Sequence, residues 1–245
     1  MARADKDANR EYSNVHRIDD RIRVQTEPSK IHAAEVVVPW IVANVQPGGT
    51  VVDIAGGVGT YASQIVRCSS LRVVGLDISE RLVEIRNEDP LLPENVVGDM
   101  EALPFAPDRF DAAMFVACLH HVPDPLPALR EAWRVVRPGG RIFALEPASL
   151  RAGRAGNAPI KGHEHEFRLS RARLVERVQA AGFEVEETQG RRITIRLLRP
   201  ILPAPPLWAF RLGDRIDHVL RTVPALDRLG EMVMLRARKL DSSTQ

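Results

Sequence analysis

The chain has 245 residues, of which 44% are hydrophobic and 27% charged, an ordinary composition for one globular domain with a sizeable core. Its 34 basic and 32 acidic residues leave a formal net charge of +2, too small a basic excess to indicate nucleic-acid binding. No apolar run reaches the ~18 residues of a membrane-spanning helix, and segment 1–10 lacks the apolar core of a secretory leader. The two cysteines, Cys68 and Cys118, suit neither a metal site nor a disulfide framework, so we expect a cytoplasmic protein.

The N-terminal part is predicted to be helical. Apolar residues recur at helical spacing over 11–23, which includes Tyr12, and again over 30–45. Pro39 lies inside the second run and predicts a kink or two short helices. Segment 1–46 is therefore expected to form a helical cap on a domain that covers 47–245.

From residue 50 onward, predicted strands and helices alternate. The predicted strands are 50–54, 71–76, 95–97, 110–116 and 141–145, and the helices between them are 60–67, 80–87 and 125–136. Strands that alternate with helices of this size imply right-handed crossovers and a parallel sheet. The fold class is therefore α/β with a doubly wound sheet.

The C-terminal part is less regular. We predict an irregular loop over 147–168, strand over 183–195, and a further helix, an amphipathic helix and a last strand at 170–181, 207–221 and 231–239. The proline-rich stretch 197–229 lies between the last two predicted strands and is expected to form a lid over the sheet. Packing on the core, a dimer contact and membrane-surface binding are the alternatives.

Three acids follow three of the predicted strands. Asp53 ends the first strand, Asp77 ends the second, and Asp99 follows the third. The turn 55–59 after the first strand is rich in glycine, which lets a ligand approach the backbone closely. A single acid here would equally suit a helix cap. All three at one edge of a parallel sheet, beside a glycine turn, predict a site for an adenosine-containing cofactor.

The sequence resembles the class I S-adenosylmethionine-dependent methyltransferases, and most of all their small-molecule branch, which includes quinone-biosynthesis methyltransferases. The matching motifs are 51–59 (VVDIAGGVG), 73–79 (VVGLDIS), 98–105 (GDMEALPF), 110–111 (FD) with 119–122 (LHHV), and 129–140 (LREAWRVVRPGG). The resemblance implies a seven-stranded, mainly parallel Rossmann-like sheet with an antiparallel last strand, and S-adenosylmethionine as cofactor. One departure is Ala55, where the family has a glycine; alanine costs little there if its φ is negative.

The resemblance also implies which residues contact the cofactor. Those on the adenosine half are Asp77 for the ribose, with Ile78, Asp99 and Met100 for the adenine. Those around the methionine half are Asp53, Ala55, Gly57 and Gly59. Val116 and His121 would line the floor near the methyl group, and Tyr12 would belong to a lid.

Two other functions fit part of the same pattern. Segment 57–62 matches the G-x-G-x-x-G/A dinucleotide fingerprint, and Asp77 lies near the offset of a ribose acid, so an NAD-dependent oxidoreductase is one alternative. Asp53 before the turn and the later Gly-Asp and Pro-Gly-Gly motifs favour S-adenosylmethionine instead. A protein that binds S-adenosylmethionine for other chemistry, or only senses it, would keep the same motifs.

Methyl transfer needs an aligned acceptor and the exclusion of water more than it needs a protein nucleophile. A hydroxyl acceptor would use a general base, for which His120, His121 and His163 are candidates. The alternating segment 163–166 (HEHE) suits a solvated loop, a substrate site or a metal, and we predict no metal. An Asn/Asp-Pro-Pro-Tyr/Phe motif does not follow the fourth strand, which argues against nucleic-acid methylation. The prediction is a small-molecule acceptor in secondary-metabolite, quinone or lipid metabolism, with a homodimer left open.

Overall fold

The computed structural model describes residues 32–148, 159–160, 163–167, 169–198, 201 and 206–240. The described chain opens with two short helices, the π-helical turn α1 (Ala33–Val37) and α2 (Val38–Val42). Pro39 lies in the first turn of α2, where its missing N–H breaks no helical hydrogen bond. The prediction of two short helices is therefore confirmed, whereas the predicted helix over 11–23 lies outside the described residues.

Strands and helices then alternate as predicted. They are β1 (Thr50–Ile54), α3 (Thr60–Cys68), β2 (Arg72–Asp77), α4 (Glu80–Asn87), β3 (Asn95–Val97), β4 (Phe110–Val116), α5 (Leu126–Val135) and β5 (Val136–Pro147). The observed ends lie close to the predicted ones, except that β5 begins directly after α5. Its first residue, Val136, pairs with Phe110, and the regular register resumes only where Arg141 pairs with Ala112. The Pro-Gly-Gly segment between them therefore forms a bulge at the start of the strand.

The C-terminal part corrects two predictions. Its elements are β6 (Pro159–Ile160), β7 (His163–Phe167), α6 (Arg171–Ala180), β8 (Phe183–Arg191), α7 (Ile193–Leu198), α8 (Leu207–Leu220), α9 (Pro224–Asp227) and β9 (Met232–Lys239). The loop prediction for 147–168 is wrong over the described residues, because β6 and β7 pair as an antiparallel sheet. The strand prediction is wrong beyond Arg191. There Arg192 has a φ of +57°, which ends the strand, and the Asp217 carboxylate caps α7 by accepting from the backbone N–H groups of Ile193 and Thr194, both at 2.8 Å.

The main sheet has seven strands in the order β3-β2-β1-β4-β5-β9-β8. Strand β9 runs antiparallel to both of its neighbours, and the other paired strands are parallel. The predicted doubly wound, mainly parallel sheet with an antiparallel last strand is confirmed. One buried cluster packs α5 and α6 on one face and includes Phe115, Leu129 and Leu174. A second, with Ile41 and Ile65, packs α2 and α3 on the other, so both faces are covered as in other parallel sheets.

The strand order brings distant parts of the chain to one edge. Asp53 and Asp77 lie at the carboxyl ends of β1 and β2, or one residue before. Met232, the first residue of the antiparallel β9, pairs with Pro147 at the end of β5 and with Arg191 at the end of β8. The connection from β8 to β9 therefore leaves and returns at the edge that carries the acids. No helix within the described ranges is long and apolar enough to cross a bilayer.

Candidate active site

The turn after β1 has a left-handed backbone at three positions. The φ angles are +54° at Ala55, +55° at Gly57 and +80° at Gly59. The Gly56 N–H donates to the Leu76 carbonyl at 3.1 Å, which ties the turn to β2. Helix α3 begins directly after the turn, so its first N–H groups and the exposed backbone of the turn face the same edge of the sheet. This geometry fits the polar half of an adenosine-containing cofactor.

Ala55 does not have the negative φ on which its low cost depended. At +54° its Cβ crowds the backbone, and alanine is less stable than glycine by about 1 kcal/mol in such a position. The turn therefore follows the left-handed path at the position where the family has glycine, and the chain carries a local strain that the sequence comparison did not predict.

Asp77 connects the turn to the next helix. One carboxylate oxygen accepts the Gly57 N–H at 2.9 Å, and the other accepts the Ser79 N–H at 3.0 Å. Ser79 in turn caps α4 by accepting the Leu82 N–H, as serine commonly does at the start of a helix. The acid predicted to bind a ribose therefore also holds the glycine turn in place, at the end of the neighbouring strand.

The residues predicted to surround an adenine lie on two adjacent strand ends. Ile78 directly follows β2, whereas Asp99 and Met100 follow β3. Strands β2 and β3 pair, with Asp77 opposite Val97, so Asp99 stands two residues beyond the partner of Asp77. Asp99 also accepts a hydrogen bond from the Glu101 backbone N–H at 2.9 Å, which orders the turn after β3.

Asp53 is paired beneath the turn with an arginine that the sequence analysis missed. The Arg86 Nη1 donates to the Asp53 carboxylate at 2.7 Å, and both side chains are buried. Burial raises the pKa of the Asp53 carboxyl, and Arg86 opposes that rise. Asp53 therefore joins the end of β1 to α4 through a buried ion pair.

The space that Arg86 fills explains two glycines. A Cβ at Gly75, in the middle of the buried β2, would lie 2.4 Å from the Arg86 Nε, and one at Gly56 would lie 2.6 Å from its Nη1. Arg86 stands three and four residues after the buried Val83 and Leu82 on α4. A charge on the apolar face of a helix is the signal that could have predicted a buried partner.

A second buried carboxylate organises the loop after β4. One oxygen of Glu146 accepts the backbone N–H groups of Cys118 and Leu119, both at 2.9 Å. Its other oxygen lies 2.8 Å from the Nδ1 of His120, and the Glu146 side chain is fully buried. An ionised carboxylate can only accept, so Nδ1 carries the proton and Nε2 of His120 is the proton-accepting nitrogen. The arrangement is that of a base oriented by an acid.

The structure locates some of the other predicted site residues and not others. Val116 ends β4, and the ring of His121 lies 4.0 Å from that of His120, so both belong to the same loop. The backbone of His163 lies in β7, which contacts that loop, and no side-chain geometry is described for it. Tyr12 lies outside the described residues. The described side chains do not include those of 163–166. Among the side chains that are described, no three potential metal ligands lie together.

Helix α8, within the stretch predicted as a lid, leaves its apolar stripe exposed. Trp208 and Val219 are each 65% exposed, and Leu212 is 48% exposed. The alternative that this stripe packs on the core is therefore wrong for the described residues. The lid, the dimer contact and the membrane surface stay predictions.

Comparison with known proteins agrees with this geometry. Residues 52–144 match a family model described as a methyltransferase domain. A ubiquinone/menaquinone biosynthesis C-methyltransferase of Brucella abortus (strain S19) is 35% identical over 120 residues, which cover 46% of this chain and 45% of the relative. An uncharacterized 37.1 kDa protein in a transposon of Streptomyces fradiae is 39% identical over 107 residues, or 42% of this chain and 31% of that protein. The chain thus spans less than half the length of these curated relatives.

Solved structures share the whole fold at low identity. The cyclase SpnF has a TM-score of 0.68 at 20% identity, with 96% of this chain and 97% of that chain covered. A geranyl diphosphate C-methyltransferase from Streptomyces coelicolor A3(2) has a TM-score of 0.67 at 16% identity, with 98% and 100% covered. Residues 52–144 therefore resemble a methyltransferase domain, and the chain has a Rossmann-like fold. The domain is similar to those of class I S-adenosylmethionine-dependent methyltransferases of quinone biosynthesis, as its motifs predicted.

Proposed function

We propose that this protein is an enzyme that transfers a methyl group from S-adenosylmethionine to a small-molecule acceptor. The observation that carries the proposal is the left-handed glycine turn, tied to Asp77 at 2.9 Å, beside Asp99 on the next strand end. Two similar proteins support it. The Brucella relative is a C-methyltransferase, and the Streptomyces coelicolor structure contains S-adenosyl-L-homocysteine.

The chain's own residues divide into two groups around the proposed cofactor. Asp77 binds the ribose, and the adenine lies among Ile78, Asp99 and Met100. The methionine half lies against the turn and the floor loop, beside Asp53, Ala55, Gly57, Gly59, Val116 and His121, with Tyr12 as a lid residue. Bound there, S-adenosylmethionine supplies an electrophilic methyl group on a positively charged sulfur.

His120 is the proposed general base when the acceptor is a hydroxyl. Its Nδ1 is held by the buried Glu146 at 2.8 Å, which leaves Nε2 to receive the acceptor proton. Glu146 stabilises the imidazolium that forms, as acids do in other histidine pairs. His121 lies against the same ring, and His163 belongs to a strand that contacts the loop, so both stay alternative bases.

A small-molecule acceptor, with no nucleic acid, fits the near-neutral charge balance and the activities for which the two similar proteins are named. We infer a role in secondary-metabolite, quinone or lipid metabolism. A second copy of the chain and a lid over 197–229 are part of the same proposal, which the exposed stripe of α8 supports.

One observation favours a second candidate function. The cyclase SpnF has the same fold by its TM-score of 0.68, so the fold also occurs in a protein named for other chemistry. A protein that binds S-adenosylmethionine without transferring its methyl group is therefore the alternative.

Calorimetric titration with S-adenosylmethionine, S-adenosylhomocysteine and NAD separates the candidates. The proposal predicts micromolar binding of the first two and none of NAD. Formation of S-adenosylhomocysteine with a panel of hydroxylated, amino and carbon acceptors would then distinguish a methyltransferase from a non-methylating binder. Binding of NAD alone would overturn the assignment of the cofactor.

A matched pair of variants tests the ribose assignment. Asp77→Asn should weaken S-adenosylhomocysteine binding by about 1–3 kcal/mol, because a charged hydrogen-bond acceptor is lost. Glu84→Gln makes the same chemical change on the exposed face of α4 and should leave the affinity unchanged. Equal affinities for the two folded variants would contradict the assignment.

A further inference from the structure

A cavity of about 530 Å³ lies between α1, the end of β8 and α8. Its charged and imidazole side chains come from all three elements and are Glu35, Arg191, Arg211, Asp214, Arg215 and His218. Because Arg191 ends β8 at the carboxyl edge of the sheet, this cavity opens on the edge that carries Asp53 and Asp77.

Helix α8 divides its surface into three faces. Ala209, Gly213 and Asp217 recur every four residues and face the protein interior. The exposed apolar stripe described above forms a second face. The cavity residues of α8 follow one another at helical spacings of three, one and three residues, so they share the third face.

The cavity carries a surplus of positive charge. Glu35 and Arg211 pair with each other at 3.4 Å, so they largely cancel. Among the side chains that line the cavity, this leaves Arg191 and Arg215 with one acid, Asp214. Outside the lining, Asp217, Glu187 and Arg221 also lie close enough to act on Arg191. Arg191 is only 9% exposed, and among the described residues its one hydrogen bond is from Nε to the Met234 sulfur at 3.2 Å, a weak acceptor.

Arg215 and His218 supply further donors. Within the described ranges, no acid lies within ion-pair distance of Arg215. His218 receives a hydrogen bond from Arg221 at 2.8 Å through its Nδ1, since an arginine can only donate. The proton of the neutral imidazole is therefore on Nε2. Two guanidinium groups and an N–H donor on one cavity match an oxyanion, which arginine binds through paired hydrogen bonds.

Asp214 moderates this charge rather than cancelling it. Burial, and then the nearby Asp217, raise the pKa of Asp214 to about 6. Asp217 itself is occupied, because its carboxylate caps α7 through three hydrogen bonds from Ile193 and Thr194. A carboxyl with this pKa is mostly ionised at pH 7, so Asp214 offsets part of the charge of Arg191 and Arg215 and leaves the cavity with a positive surplus.

The segment directly after β8 also lies near the proposed cofactor site. Tyr61, on the helix that follows the glycine turn, lies close enough to both Arg192 and Asp53 for each charge to act on the pKa of its hydroxyl. Three strand spacings separate β4 from β8 in the sheet, about 14 Å at ~4.8 Å per spacing. An elongated small molecule can therefore reach from the floor loop after β4 to Arg191.

We propose that this cavity binds an anionic group, a phosphate or a carboxylate, carried by the methyl acceptor at the end remote from the atom that is methylated. The inference rests on the proposed methyltransferase function and specifies its acceptor class. Arg191 and Arg215 bind the anion, and His218 donates a further hydrogen bond to it.

Calorimetry with phenyl phosphate, benzoate and benzyl alcohol, in the presence of S-adenosylhomocysteine, tests the cavity. Both anions should bind, and the neutral alcohol should bind at least about tenfold more weakly, the expected size for a lost charge-assisted hydrogen bond. Arg215→Gln should weaken anion binding about tenfold with no change in the S-adenosylhomocysteine titration. Arg67→Gln, an exposed arginine at the far end of α3, is the control and should change neither. Arg191→Met is the stronger variant, provided that it folds.

The outcomes separate this inference from the proposed function. Binding of S-adenosylhomocysteine without binding of either anion, or equal binding of benzyl alcohol, would overturn the anionic acceptor alone. Anion binding that is sensitive to Arg215 in a protein that binds no S-adenosylhomocysteine would support the cavity and overturn the function. Sedimentation with phosphatidylglycerol vesicles tests whether the anion that the cavity binds is a lipid headgroup. Vesicle binding that depends on Arg215, without phenyl phosphate binding, would overturn a soluble acceptor.

Discussion

Arg86→Met breaks the buried ion pair beneath the glycine turn. At the observed 2.7 Å, and with an effective dielectric constant of ~20, the attraction between Arg86 and Asp53 is about 6 kcal/mol. The cost of burying both charges offsets much of that attraction. Removing one partner, however, leaves the other charge buried and unpaired, which typically costs about 3–5 kcal/mol. Methionine keeps most of the volume, so we expect the free energy of unfolding to fall by about 3–5 kcal/mol near pH 7.

The loss should depend on pH. Without Arg86, burial and the nearby Asp77 act on Asp53 unopposed, so the pKa of its carboxyl rises further above the unfolded value. A folded state that binds the proton more tightly loses stability as pH rises through this range. The variant should therefore lose less stability at about pH 5 than at about pH 8.

Urea unfolding followed by circular dichroism measures this effect. The double variant Asp53→Asn with Arg86→Met removes both charges and should be less destabilised than the sum of the single variants. Arg81→Met changes an exposed arginine on the same helix and is the control. A loss below about 1 kcal/mol for Arg86→Met, or additive losses in the double variant, would refute the reasoning.

Three further predictions concern backbone strain and titration. Ala55→Gly should raise the free energy of unfolding by about 0.5–1 kcal/mol, measured by urea unfolding, because glycine adopts a φ of +54° without strain. Burial, with Arg192 and Arg191 nearby, lowers the pKa of His32 to about 3, so stability is lost as pH falls below the unfolded value of 6.5. His32→Leu should remove about 2–3 kcal/mol of that loss at about pH 4.5, measured as the change in unfolding free energy between about pH 7 and 4.5. Asp214→Asn should raise stability at about pH 8 by ~1 kcal/mol, a value reduced for the partial exposure of the group, and should tighten phenyl phosphate binding there.

Each of these three variants has its own contradicting result. Ala112→Gly, in a buried strand, should destabilise the protein; a gain there equal to that of Ala55→Gly would point to a cause other than φ. An unchanged acid profile for His32→Leu would show that other groups control acid unfolding. Asp214 faces Asp217 on its own helix, Arg191 at the end of β8, Arg192 directly after it, and Glu35 on α1. If Asp214→Asn and the parent have the same unfolding free energy at every pH, the arginines offset the burial and the nearby acids, and the predicted gain in stability is wrong.

The sequence determined the elements that depend on neighbours along the chain. Ser79 and Ser170 are of a residue type that commonly caps helices, and both accept the backbone N–H three residues later. The apolar runs of β1 and β4 and the glycine turn predicted the alternation of strands and helices, and with it the acids at one edge. These signals are local, since hydrogen bonds within a turn or helix join residues at most four apart.

The tertiary structure alone decided which charges meet. Arg86 and Asp53 are 33 positions apart, and His120 and Glu146 are 26 apart, so no local pattern pairs them. The left-handed φ of Ala55 likewise follows from the path between β1 and α3. Arg191 reaches the acidic edge only because β9 runs antiparallel between β5 and β8. Contacts of this kind depend on strand order and burial, and those are set by the packing of the whole sheet rather than by any one segment.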